Sequence, residues 1–278
     1  MLQSSPVSVE YWKMPPEYFL KKNNQIFKKD YRRLFLFFDF DGTLVPIQNN
    51  PADCSLSPKV RDQLKNIALS GSASIAILSG RSLPDIRKRV QIKGIYYGGN
   101  HGLEISGPQI RFIHPEAKSF KHTIDRAYQS IAKETRNFQG VFIEKKNLSF
   151  TLHYRMAGKE NKALVRHIFH KTISEEFAGH AFKVIKGKKI LELAPDVLWD
   201  KGRAALFILQ RLNMDYLPVY VGDDLTDETA FRALKENGIT IRVGRSKKTE
   251  AQYYLKGHWE ILQFLKTIYD IIQRWAIQ

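Results

Sequence analysis

Four short stretches of this chain hold residues able to do chemistry together. Asp39-Phe40-Asp41-Gly42-Thr43 sets two carboxylates one residue apart, followed by a glycine and a hydroxyl. Ser79-Gly80-Arg81 offers a hydroxyl, unobstructed backbone N–H groups and a guanidinium. Lys201 precedes a glycine, and Asp223-Asp224-Leu225-Thr226-Asp227-Glu228 crowds four acids into six residues. Carboxylates that dense repel one another unless a divalent cation or a lysine balances them. A carboxylate can attack phosphorus and form an aspartyl-phosphate if a cation shields it from the phosphate charge. A hydroxyl and backbone N–H groups at a strand end grip phosphate oxygens. The Asp39 stretch also reads as a cation loop without catalysis, or as a capped turn.

The elements that must position these groups are legible as periodic patterns. Leu34–Phe38, Ser74–Leu78 and Pro218–Gly222 are short apolar runs suited to buried parallel strands. Asp39, Ser79 and Asp223 stand at their carboxyl ends, where open α/β sheets bind ligands. Pro58 opens a helix with Val60, Leu64, Ile67 and Ala68 on one face. Asp200 caps another, carrying Ala204, Ala205, Ile208, Leu209 and Leu212. Lys201 then falls in the first turn, where a cation is unfavourable unless a negative group compensates the helix dipole. A C-terminal stripe, Ile261, Phe264, Leu265, Ile268, Ile271, Ile272 and Trp275, closes the core. Residues 1–33 form an N-terminal extension whose aromatics Tyr11, Trp12, Tyr18, Phe19 and Phe27 tie it down.

From residue 111 to 193 the pattern changes. A helix bearing Phe120, Ile124, Ala127, Tyr128 and Ile131 is followed by strands Val141–Glu144 and Leu148–Tyr154. A second helix, with Leu164, Ile168 and Phe177 inward, leads to a hairpin of Phe182–Ile185 and Ile190–Leu193 turning at Gly187-Lys188. This order predicts a small antiparallel sheet with helices on one face. In its strand Leu148–Arg155, Leu148, Phe150, Leu152 and Tyr154 point to the helices, and Ser149, Thr151, His153 and Arg155 share the other face.

Strand, then D-x-D-G-T, resembles the nucleophile motif of the haloacid dehalogenase superfamily of phosphohydrolases. That resemblance implies Asp39 as nucleophile, Asp41 as general acid/base, Ser79 as phosphate-binding hydroxyl, with Gly80 and Arg81 beside it, and Lys201 neutralising the reacting groups. It implies Mg2+ held by Asp39, Asp223 and the backbone carbonyl of Asp41, with Asp224 and Asp227 outside the metal's own ligands. Gly99-Asn100-His101-Gly102-Leu103-Glu104 resembles the G-x-H-G-x-E signature of trehalose-6-phosphate phosphatases, which makes Asn100, His101 and Glu104 substrate-side candidates. Glu144-x-Lys146-x-x-Ser149, continuing to His153-Tyr154-Arg155, resembles the sugar-binding cap motif of that family. Glu192 adds a further acid for sugar hydroxyls, but Ala194 stands where the family has arginine.

The resulting expectation is an α/β fold: a HAD-like Rossmannoid core with a parallel sheet, residues 34–110 and 194–278, and an inserted α+β cap, residues 111–193. The expected activity is Mg2+-dependent hydrolysis of trehalose 6-phosphate. A related sugar-phosphate phosphatase, of the glucosylglycerol-phosphate or sucrose-phosphate type, and a non-catalytic regulatory module are the alternatives. The formal charge of +16 invites a nucleic-acid partner. The basic residues are scattered and no nucleic-acid motif accompanies them, so the expected partner is a small sugar phosphate drawn in by a diffuse positive field. No secretory leader or membrane-length run is read; the lone Cys54 excludes an intrachain disulfide framework and fits a reducing, cytoplasmic compartment, and with the C-terminal stripe used to close the core a monomer is expected.

Overall fold

A computed structural model describes residues 15–27, 33–48, 51–187 and 189–276. In chain order its elements are β1 (Glu17–Tyr18), α1 (Phe19–Ile26), β2 (Leu34–Phe38), α2 (Pro58–Leu69), β3 (Ala73–Leu78), α3 (Leu83–Val90), β4 (Tyr96–Gly99), β5 (Glu104–Ser106) and β6 (Arg111–Ile113). There follow α4 (Pro115–Ser119), α5 (Lys121–Thr135), β7 (Phe142–Lys145), β8 (Phe150–His153), α6 (Lys159–Glu176), β9 (Phe182–Gly187) and β10 (Ile190–Pro195). The chain ends with α7 (Lys201–Leu212), β11 (Leu217–Gly222), α8 (Glu228–Leu234), β12 (Ile239–Val243), β13 (Tyr253–Leu255) and α9 (Ile261–Ala276).

Among the described residues the larger sheet runs β1-β13-β12-β11-β2-β3-β4-β5-β6. It is parallel from β1 to β4, and β5 and β6 turn back antiparallel at one edge. β2 lies at its centre and is buried on both faces, which is why its sequence is apolar without alternation. Leu34, Leu36 and Phe38 enter a core shared with α2, α3 and α9; Phe35 and Phe37 enter another, shared with α7 and α8. The α9 stripe is spent on the first of these cores, as expected. Phe19 and Phe27 of the extension join it too, while β1 pairs with β13; Tyr11 and Trp12 lie outside the described residues.

The second sheet, β7-β8-β10-β9, is antiparallel throughout. Ile124, Ala127 and Ile131 of α5 and Val165 and Phe169 of α6 pack on Phe150, Leu152, Leu191 and Leu193. The inward register of α6 differs from expectation. Val165, Phe169 and Thr172 are buried and Leu164 is 47% exposed, because the spacing of four then three keeps one face inward. The expected seam also moves. β6 pairs with β5 at the edge of the larger sheet, so residues 111–113 stay with it, and β10 carries the small sheet through to Pro195. Gly187 pairs with Ile190 in the hairpin, whose other turn residue, Lys188, lies outside the described residues.

Both chain crossings between the sheets meet at Trp199. Its ring centroid is 5.2 Å from Phe112 and 5.0 Å from His114, and its Nε1 donates to the Gly102 carbonyl at 2.9 Å. Among the described residues no helix is long and apolar enough to cross a membrane.

Candidate active site

The carboxyl ends of β2, β3 and β11 open into a cleft of about 660 Å³, roofed by the polar face of the small sheet. Ser149, Thr151 and His153, on that face, are buried rather than solvated as an open antiparallel face would be. Asp39 leaves β2 with its N–H bonded to the Val221 carbonyl at 2.9 Å, which fixes it beside β11. The chain then turns through Gly42 at φ +95°, and a Cβ there would lie 2.2 Å from Asp223 Oδ2. Only glycine lets the two acidic strand ends approach this closely. Thr43 donates its hydroxyl to Asp223 Oδ1 at 3.4 Å.

Lys201 is the hub of the acidic cluster. Its Nζ donates to Asp39 Oδ1 at 2.6 Å and to Asp227 Oδ1 at 2.8 Å, and it is almost fully buried. Burial opposes its charge, but the two carboxylates overcome this and raise its pKa, holding it as a cation in the first turn of α7. Asp200 caps that helix from Oδ1 to the Arg203 N–H at 2.9 Å. Asp39, Asp223 and Asp227 bring carboxylate oxygens within 4.8 Å of one another. Asp227 is already saturated: Oδ1 accepts from Lys201 and from Tyr220 Oη at 2.9 Å, and Oδ2 accepts from the N–H groups of Asp223 and Asp224 at 3.0 Å each. Asp39 and Asp223 are therefore the carboxylates able to hold a cation. Burial pushes the Asp39 carboxyl well up; Lys201 opposes this, while Asp227 and Asp223 add to it. An all-oxygen, acid-rich site with one buried ammonium fits a hard divalent cation.

Asp41 faces a different partner. Arg81 clamps both its oxygens, Nε to Oδ2 and Nη2 to Oδ1, each at 2.6 Å. Asp85 holds Arg81 Nη1 at 2.9 Å and is itself held by Arg89 Nε at 2.8 Å, so the guanidinium is braced from behind. The signal for this ladder is the two successive steps of four, Arg81 to Asp85 and Asp85 to Arg89, at the start of α3 and along it. The strand pattern places Tyr220 without giving it a role; a tyrosine in a buried strand needs a partner for its hydroxyl, and here it is Asp227.

Ser79 receives the Arg81 N–H at 3.1 Å on its hydroxyl. A Cβ at Gly80 would be 2.8 Å from the His101 ring, so the imidazole lies directly on this turn. From the roof, Lys146 Nζ reaches the Gly80 carbonyl at 2.7 Å and Glu192 Oε1 at 3.0 Å. Ser149 donates to Glu192 Oε1 at 2.7 Å, and His101 Nε2 stands 3.7 Å from Oε2. Burial raises the Glu192 carboxyl, but Lys146 foremost, then His101 and Ser149, bring it far below the usual carboxylate range. Glu144 is lowered against burial by His153, whose Nε2 is 3.0 Å from Glu144 Oε2.

The cleft thus gathers Asp39, Asp41, Ser79, Gly80, Arg81, His101, Glu144, Lys146, Glu192, Lys201 and Asp223. Asn100 and Ser149 stand behind it, lining an adjoining pocket of about 200 Å³. Asn100 is buried against Glu104, which also accepts from Asn147 Nδ2 at 2.7 Å. Asn100, Glu104 and Ser149 support the site from behind, where the core and the small sheet meet, rather than face the cleft. Ala194 lines the same rear pocket, with Lys183 directly opposite in register.

Comparison with known proteins places this geometry. The trehalose-phosphatase family model matches residues 37–258. A probable trehalose-phosphate phosphatase D of Arabidopsis thaliana is 32% identical over 255 residues, covering 86% of this chain and 68% of that protein. The trehalose-phosphate phosphatase of Mycobacterium bovis is 35% identical over 217 residues, covering 76% of this chain but only 54% of its own length. The solved C-terminal domain of the Candida albicans trehalose-6-phosphate phosphatase has the same fold, with a TM-score of 0.75 over 92% of this chain and 98% of that one at 23% identity. The family match spans both sheets and takes in the acids, the lysines and the arginine of the cleft, and on it this chain belongs to the trehalose-phosphatase family of the haloacid dehalogenase superfamily.

Proposed function

We propose that this chain hydrolyses trehalose 6-phosphate to trehalose and phosphate, with Asp39 as nucleophile. The observation that carries the reading is that one cleft joins two chemistries. Its floor holds a carboxylate pair and a buried lysine suited to phosphoryl transfer; its roof brings Glu144, Lys146 and Glu192, suited to sugar hydroxyls and a phosphate edge.

In this reading Lys201 holds Asp39 Oδ1, and the second oxygen attacks phosphorus in line with the departing sugar oxygen. The P–O bond to the sugar breaks, an aspartyl-phosphate forms, and Asp41 gives its proton to the leaving alkoxide. Asp41 then takes a proton from water, the resulting hydroxide attacks phosphorus, and Asp39 is released with inorganic phosphate. In the structure both Asp41 oxygens accept from Arg81, so the guanidinium, and not a leaving group, is the partner this carboxylate faces. The substrate phosphate is therefore read as Arg81's alternative partner, drawing the guanidinium from Asp41 as it binds. A divalent cation, proposed as Mg2+, would be held by Asp39, Asp223 and the Asp41 carbonyl and would neutralise phosphoryl charge. Ser79 and the backbone at Gly80 hold phosphate oxygens, and the small sheet acts as the cap that excludes water. The free, buried Cys54 supports a cytoplasmic setting.

Phosphate release from trehalose 6-phosphate, beside glucose 6-phosphate, sucrose 6-phosphate and glucosylglycerol phosphate, with Mg2+ and with chelator, tests this. A Mg2+-dependent preference for trehalose 6-phosphate is expected. Preference for another ester would move the substrate, and the rear pocket beside Ala194 favours that second reading. Inactivity on all four would overturn the enzymatic reading.

A further inference from the structure

We propose that Phe142 is the stacking platform for the second, unphosphorylated sugar ring of the substrate, an inference that rests on the two-ring substrate proposed above. Phe142 and Glu144, two apart on one face of β7, line the cleft, and Lys146, the next residue past the end of the strand, lines it too. Ile143 packs instead with the small-sheet core, and Lys145 pairs with Asp125 on α5 at 2.9 Å, so the alternation is strict.

The three cleft-facing side chains form a graded series. Lys146 lies innermost, on the Gly80 carbonyl at the phosphate end. Glu144 follows, a carboxylate that accepts from vicinal hydroxyls. Phe142 is outermost, about 13 Å of extended chain from Lys146, a span that takes two linked pyranose rings beyond a phosphate. Cation, carboxylate and aromatic ring therefore match phosphate, first ring and second ring in order.

The phenyl ring is built to receive a flat apolar face. Its partner across the ladder is His153, and the two rings stack at 4.4 Å between centroids, tilted by only 4°. His153 is in turn fixed by Glu144 at 3.0 Å, so the carboxylate that meets the first ring also sets the support of the second. Phe142 remains 47% exposed, which leaves ring surface to the cleft, beside Met156 and Ile190. A sugar presents its C–H face to such a ring and its hydroxyls to the polar groups around it. A platform stacked in advance binds without first ordering a side chain.

The test compares wild type, F142A and F142W on trehalose 6-phosphate and on glucose 6-phosphate, which lacks the second ring. F142A is expected to raise KM for the two-ring ester about tenfold, with kcat within twofold and kcat/KM for glucose 6-phosphate unchanged. F142W is expected to restore the two-ring KM. Retained turnover of the one-ring ester shows in the same experiment that the variant is folded. An unchanged KM for the two-ring ester, or an equal loss on both esters, overturns the platform. A wild type inactive on trehalose 6-phosphate but active on another two-ring phosphate overturns the substrate reading, and that ester then judges Phe142. A wild type indifferent to the second ring overturns both.

Discussion

Replacing Asp227 with asparagine separates a structural acid from a metal ligand. The carboxylate is fully buried and accepts four hydrogen bonds, two on each oxygen. An amide has one oxygen, so two donors must face its NH2 group. These are either the N–H groups of Asp223 and Asp224, or the Lys201 ammonium and the Tyr220 hydroxyl. Each buried donor left unmatched costs about 1–3 kcal/mol. Two of them give ~4 kcal/mol, and at this chain length that lowers the melting point by roughly 8–16 °C. Thermal unfolding followed by circular dichroism measures the shift, and isothermal titration with Mg2+ at a temperature below both transitions measures cation affinity. The expected pair of results is a large loss of stability and Mg2+ affinity within about threefold of wild type, under 1 kcal/mol. A melting point within about 2 °C of wild type, well short of the shift that ~4 kcal/mol gives, together with lost Mg2+ affinity would refute the assignment. Asp227 would then be a ligand whose structural bonds are dispensable.

Asp39→Asn should lower phosphate release by more than about 10³-fold with an unchanged circular dichroism spectrum; substantial residual turnover would remove Asp39 as nucleophile. Arg81→Lys cannot reproduce the two-point clamp on Asp41, and a loss in kcat/KM of about 10²-fold is expected; steady-state kinetics equal to wild type would show the clamp to be idle. Glu192→Gln carries a pH signature. The folded carboxyl lies below its unfolded value of 4.5, so its stabilisation is present above that value and is lost as pH falls toward the folded value. Urea unfolding should show the variant less stable by about 3 kcal/mol at pH 7, with the gap to wild type narrowing below pH 4.5. A gap independent of pH would place the cost elsewhere.

The reacting groups were legible because each ends an apolar run. Asp39, Ser79 and Asp223 close β2, β3 and β11, and Lys201 follows a capping acid; strand periodicity and one N-cap locate all four. What escaped is pairing across the chain. Nothing in the sequence ties Arg81 to Asp41, forty residues away, rather than to substrate, and that choice is made by β2 and β3 lying side by side. Ser149 and Asn100 carry motif positions yet fall behind Glu192, because the core and the small sheet meet there and a buried seam must satisfy its polar atoms. Phe142 reads as an unremarkable strand residue until its register against His153 is known. The α6 register slipped for a simpler reason. Leu164 and Val165 are adjacent apolar residues, and helical spacing alone does not decide which faces inward.

Trp199 gathers both covalent crossings between the sheets onto one indole, against Phe112 and His114. A body tethered by two adjacent strands of chain is attached along a line, and rotation about that line is the movement such a tether resists least. The travel of such a rotation would be smallest at the indole and greatest at the opposite rim. Lys146 on the Gly80 carbonyl and Arg155 on the Gln48 carbonyl, at 3.0 Å, are contacts such a swing would make or break. For such a rotation Trp199 would be the pin, and the two cations seated on backbone carbonyls would be the latches.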